Sequence, residues 1–163
     1  LWWKPVLETP AKRFDLVIEA FNLLGKELLI VGEGGDQRKL RGMAKSNIKF
    51  LGRVSDMELR NLFAECKALI FPQIEDFGIS PVECMASGRP VIAYSEGGAK
   101  DSVLEGTTGV FFDEQSTESL QDAIKRFEKI AWDVSLIKKH AEQFSEKNFH
   151  RKMLDFISSK LEA

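Results

Sequence analysis

The chain has no long apolar run, no block of like charge and little cysteine. Across its 163 residues no apolar stretch approaches the roughly 20 needed to cross a membrane. The formal net charge is −2 and the basic residues are scattered, so nothing argues for a nucleic-acid partner. The 2 cysteines, Cys66 and Cys84, have no metal-ligand spacing and read as reduced, buried thiols of a cytosolic protein. The 2 histidines, His140 and His150, lie in a helical C-terminal region without a metal partner and read as surface or packing residues. No signal peptide, internal repeat or low-complexity linker is visible. No residue has the setting of an enzymic nucleophile, general base or metal site. The length fits one domain, residues 1–163, with a single sizeable core. The chain opens at Leu1 in what reads as the middle of a strand, which suggests an excised domain.

What is present is an alternation of short apolar runs and helical patterns. Leu1-Trp2-Trp3 reads as a first strand. Phe14, Val17, Ile18, Phe21 and Leu24 recur at helical spacing within Ala11–Leu24. Leu28–Val31, Ile48–Leu51, Ala68–Phe71, Val91–Tyr94 and Gly109–Phe112 read as strands, with helices expected near 36–45, 55–66, 80–88, 98–105 and 117–130. Fully apolar strands separated by helices predict a parallel sheet covered on both faces. Right-handed crossovers then give an α/β, Rossmann-like, doubly wound domain, with ligands at the carboxyl ends of the strands. A C-terminal helical segment follows. Its last stretch, Phe144–Leu161, carries Phe149, Met153, Leu154, Phe156 and Ile157. Those residues either pack on their own domain or form an apolar face without its partner, which would favour self-association.

One stretch organises the rest. The strand ending at Phe71 leads through Glu75, Asp76, Phe77 and Gly78 to Ser80-Pro81, where a helix is expected to open and run to Gly88. The backbone N–H groups of Phe77, Gly78, Ile79 and Ser80 would then form an anion site at a helix N-terminus. Two carboxylates flank it, Glu75 and Glu83, with seven residues between them. Glu83 has two readings. Ser80-x-x-Glu83 has the pattern of a capping box, as does Ser55-x-x-Glu58; alternatively Glu83 meets a ligand. Glu75 is either a solvated loop residue or a ligand contact. Gly32-Glu33-Gly34 invites a dinucleotide reading but lacks the third glycine at the required place. Gly97-Gly98 is explained by turn geometry or by a place at the cleft.

Glu75-Asp76-Phe77-Gly78-Ile79-Ser80-Pro81-Val82-Glu83, followed by Ala86-Ser87-Gly88-Arg89-Pro90-Val91, resembles the E-x7-E signature of group 1 (family four) retaining glycosyltransferases of the GT-B fold. The Glu-Asp-Phe-Gly form is most similar to the mannosyltransferase branch. The resemblance covers about Pro10 to the C-terminus and implies the C-terminal, donor-binding lobe of a two-lobe enzyme. The acceptor-binding N-terminal lobe would lie outside this chain. It implies a nucleotide-diphospho-sugar donor, GDP-mannose first, and no metal or other cofactor. It places Glu83 on the ribose hydroxyls, Glu75 on the sugar or its phosphate, and Lys12, matched within Pro10–Leu16, on the diphosphate. It further implies Gly32 and Gly34 near the nucleotide and Arg53 and Val54 beside the base, where an exposed loop arginine is the plainer account of Arg53. Lys12 can also be read as a solvated lysine at a helix start. The arginine that the family sets before that lysine would fall near Leu7, and the nearby cations are Lys4 and Arg13. By the same resemblance, the setting is polysaccharide biosynthesis in the cytoplasm, with any membrane-surface association made through the missing lobe. The rivals are a non-catalytic nucleotide-sugar-binding subunit, half of a GT-B epimerase or phosphorylase, and a dinucleotide oxidoreductase.

Overall fold

A computed structural model describes residues 2–4 and 12–161. Among them, the strands are β1 (Trp2–Lys4), β2 (Leu28–Val31), β3 (Ile48–Gly52), β4 (Ala68–Phe71), β5 (Val91–Tyr94) and β6 (Gly109–Phe112). The helices are α1 (Phe14–Leu24), α2 (Gln37–Met43), α3 (Asp56–Glu65), α4 (Ile79–Ala86), α5 (Ala99–Ser102), α6 (Thr117–Phe127), α7 (Val134–Ala141) and α8 (Glu146–Leu161), with a 3-10 turn at Glu142–Phe144 before α8. All strand pairs are parallel. Their order is β3-β2-β1-β4-β5-β6, the doubly wound arrangement that the sequence pattern predicts.

Successive strand residues point to opposite faces, and both faces are dry. Leu28, Ile30, Ala68, Ile70, Ile92, Val110 and Phe112 meet α1 and α6, where Val17, Ile18, Ala20, Phe21, Leu120 and Ile124 are fully buried. Leu29, Val31, Leu69, Phe71, Val91 and Ala93 meet α3, α4 and α7 through Phe63, Cys84, Met85 and Ile137. Covering on both sides explains why these strands read as continuous apolar runs rather than alternating ones. Emptying a site such as Phe21 costs about 3–5 kcal/mol. The two cysteines are free and buried in the second core, and burial holds the Cys84 thiol well above its ordinary range.

Helices α5 and α6 end short of expectation. α5 stops at Ser102 because Val103 is already extended. α6 stops at Phe127, where Glu128 closes it. α8 has no buried residue, and Phe149, Leu154 and Phe156 are more than half exposed. The apolar segment therefore forms a helix but does not pack into its own domain's core.

Candidate donor-binding site

β1 is hydrogen-bonded to β2 on one side and to β4 on the other. The connection after β1 enters α1 on one face, whereas that after β4 enters α4 on the opposite face. Lys12, just before α1, and the loop after β4 border one crevice at the carboxyl edge of the sheet. A pocket of about 270 Å³ lies there, lined by Lys12 from the first loop and by Gln73, Glu75, Asp76, Phe77, Gly78, Ile79 and Ser80 from the second. Residues separated by more than sixty positions thus share one cleft, among them six that the sequence singles out. Lys12 Nζ lies 3.7 Å from Glu75 Oε1, both side chains being half-buried. The same oxygen accepts the Gln73 amide N–H at 3.0 Å.

The start of α4 corrects the expected capping box. The helix begins at Ile79, two residues before Pro81, where a Ser80 cap would have started it. Its cap is Gly78 in the left-handed region, φ 79°, with no side-chain cap bond. Ser80 and Glu83 are both inside the helix, so Glu83 cannot reach the cap as N3 glutamates do. Pro81 falls in the first turn, where a missing N–H removes no intrahelical bond. Gly78 is required twice over: its φ is costly for any other residue, and a Cβ there would lie 3.2 Å from the Phe71 ring. The ring of Phe77 packs edge-on against Phe144, centroids 6.1 Å apart. His140 backs Phe144 at 5.6 Å and donates from Nε2 to the Ser102 carbonyl at 2.7 Å, so it is a packing residue. By contrast, Ser55 caps α3 as expected: its side chain accepts from Glu58 N–H, and Glu58 accepts from Ser55 N–H at 2.8 Å.

Freed from the cap, Glu83 lines a groove between α3 and α4 together with Asp56, Leu59, Arg60 and Phe63. Its carboxyl is pushed above the ordinary range, first by loss of water to the surrounding protein and then by repulsion from Asp56, with Arg60 pulling the other way. It does not line the Lys12–Glu75 pocket. Gly32, Gly34, Arg53 and Val54 sit on the loops after β2 and β3, at the same carboxyl edge of the sheet. Those loops are joined by Gly32 N–H donating to the Gly52 carbonyl at 2.7 Å. Arg53 is exposed, and Val54 packs against the second core. The Gly97-Gly98 turn abuts the cleft loop: Gly98 N–H donates to the Glu75 carbonyl at 2.8 Å.

Arg13 does not stand in for the arginine expected near Leu7. It caps α1 in a left-handed conformation, φ 50°. Its guanidinium is held by Gln115 Oε1 at 2.7 Å and Asp15 at 3.4 Å, and it does not line the pocket. Leu7, the Pro10-Ala11 part of the lysine motif and the opening Leu1 lie outside the described residues. Sequence reasoning missed Gln73, Asp56 and Arg60. Gln73 lies two residues after β4, in a bend that gives no periodic signal.

The sequence profile of glycosyl transferases group 1 matches residues 8–151. The chain belongs to that family. Among group 1 relatives, a glycosyltransferase of Methanocaldococcus jannaschii is 30% identical over 120 residues, covering 71% of this chain and 34% of its own. A GDP-mannose-dependent monoacylated α-(1-6)-phosphatidylinositol monomannoside mannosyltransferase of Corynebacterium glutamicum is 34% identical over 118 residues, 61% of this chain and 31% of its own. The fold of the group 1 chain is that of a solved Anabaena protein, HepE, in complex with UDP and glucose, with TM-score 0.82 and 24% identity over 97% of this chain and 48% of that one. The chain thus spans about a third of these curated relatives and half of the solved neighbour. Among the described residues no helix is long and apolar enough to cross a membrane, and no cluster of three or more His, Cys, Asp or Glu could hold a metal ion.

Proposed function

We propose that this group 1 chain is the donor-binding lobe of a retaining glycosyltransferase that takes a nucleotide-diphospho-sugar, GDP-mannose first. The supporting observation is the convergence of Lys12, Glu75 and the N-terminus of α4 on one pocket at the sheet's switch point. As the bond from the sugar's anomeric carbon to the diphosphate breaks, negative charge grows on the leaving oxygen. Lys12 and the first-turn N–H groups of α4, which have no intrahelical partner, stabilise that charge where it forms. Glu75, acceptor-only when ionised, takes hydrogen bonds from sugar hydroxyls. Glu83, in its separate groove, takes those of the ribose. The acceptor hydroxyl attacks the same face that the diphosphate leaves, and its proton passes to a diphosphate oxygen. This reading calls on no metal. The acceptor comes from an N-terminal lobe, and the working location is the cytoplasm, at the inner membrane face where that lobe binds it.

GDP-mannose as donor draws on the Corynebacterium relative's name and on the Glu75–Gly78 sequence. A UDP-sugar is the alternative, favoured by the complex of the solved neighbour with UDP and glucose. Titration of GDP, UDP and NADH, followed by amide chemical shifts, tests the reading. GDP should bind, with a Kd of the order of 1 mM or tighter, and shift Phe77–Ser80. Binding should weaken about tenfold in Lys12→Ala and in Glu83→Ala. Preference for UDP would replace the sugar assignment. NADH binding, or none by any nucleotide, would refute the donor lobe.

A further inference from the structure

Gln73 is 2% exposed, yet it forms part of the pocket wall beside Lys12 and Glu75. Its amide orientation is fixed by chemistry: the Nε2–H donates to Glu75 Oε1 at 3.0 Å, and a carboxylate can only accept. Its own Oε1 is buried with no hydrogen-bond partner among the described residues. A buried acceptor left empty is costly, and an apolar side chain of similar size would avoid that cost. The amide is therefore kept facing Glu75 at the expense of its own oxygen.

Glu75 Oε1 is approached by two groups, the Lys12 ammonium at 3.7 Å and the Gln73 amide at 3.0 Å. The two differ in what an incoming diphosphate does to them. It attracts Lys12, which is cationic and on the other loop. It has no such pull on Gln73, which is neutral and enclosed. We infer that Gln73 is the positioning residue that holds Glu75 toward the hydroxyls of the donor's hexose once the diphosphate has drawn Lys12 away. The inference rests on the donor-lobe reading and adds to it a residue that acts on the sugar and not on the nucleotide.

Calorimetric titration of the 163-residue chain with GDP, GDP-mannose, UDP and UDP-glucose separates the two contributions. In the unaltered chain one sugar nucleotide should bind more tightly than its own diphosphate. Gln73→Met, which keeps the volume, should weaken that sugar nucleotide about tenfold and leave the diphosphate within about twofold. Gln73→Glu should do the same at pH 7. The other charged groups in that pocket are Lys12 and Asp76. Equal losses for diphosphate and sugar nucleotide, unchanged affinities in Gln73→Met, or a sugar nucleotide that never exceeds its diphosphate would each overturn the role of Gln73 while sparing the donor lobe. Failure of the unaltered chain to bind any diphosphate would remove the donor lobe and this inference together.

Discussion

Replacing Gly98 by alanine should damage the cleft without touching a single cleft side chain. The backbone at Gly98, φ −62° and ψ −14°, is one that alanine adopts freely, so the effect is steric alone. An added Cβ would lie 2.5 Å from Phe77 Cα and 2.7 Å from the Asp76 carbonyl carbon, and closer still to the Asp76 oxygen. Carbon atoms rest about 3.5–4.0 Å apart, so the loop from Glu75 to Phe77 must retreat by roughly 1 Å. That motion also stretches the bond from Gly98 N–H to the Glu75 carbonyl. Overpacking of this kind costs about 1–3 kcal/mol. At this chain length it lowers Tm by about 2–4 °C per kcal/mol. A displacement of about 1 Å in a positioning loop can cost on the order of 100-fold in activity, and GDP affinity should fall with it. Gly42→Ala is the control: nothing lies within 4 Å of its Cβ, it sits inside α2, and it should gain about 0.5–1 kcal/mol. Circular dichroism melts and a GDP titration on both variants decide the matter. A Gly98→Ala protein that melts and binds like the unaltered chain would show that the turn does not set the loop's position.

Ser55→Ala should cost about 1 kcal/mol in a denaturant titration, whereas Ser80→Ala, whose hydroxyl caps nothing, should stay within about 0.5 kcal/mol; equal losses would restore the second capping box. Glu83→Gln should melt at or above the unaltered chain at pH 7 while binding GDP more weakly. The sign follows from the raised carboxyl: between its unfolded and folded pKa the folded state holds more protons, so this residue's contribution to stability falls as pH rises through the folded value. Below about pH 4 the carboxyl is protonated in both states and the stability difference should vanish; a constant difference from pH 3 to 8 would refute the shift.

Much of this architecture is written in the sequence because each central strand is apolar on both faces. Leu28–Val31, Ala68–Phe71 and Val91–Tyr94 could hardly be anything but buried parallel strands. The strand order and the meeting of Lys12 with Glu75 then follow from topology. The limit shows at the two Ser-x-x-Glu patterns. At Ser55 the pattern marks the cap; at Ser80 the same spacing lies one residue inside the helix, because Gly78 turns the chain before serine is reached. Helix phase depends on that left-handed glycine, and the four-residue pattern does not contain it. Asp56 and Arg60 were silent for another reason: they face Glu83 only because α3 packs beside α4, and crossing geometry leaves no mark on local sequence. The raised carboxyl of Glu83 was hidden with them.

The central place of β1 matters most while the chain is folding. Its described residues, Trp2–Lys4, pair with Leu28–Ile30 on one side and Ala68–Leu69 on the other, and among the described residues β1 alone separates β2 from β4 in the strand order. The sheet is two ribbons, β2-β3 and β4-β5-β6, joined through β1. Parallel pairings between distant parts of a chain form slowly, in milliseconds to seconds. Until β1 inserts, Leu28–Val31 and Ala68–Phe71 each present an apolar edge with unmatched backbone groups, the template on which a second chain can pair. Competition between that insertion and capture by another molecule sets the yield of folded protein, so the strand at the seam governs how safely the others assemble.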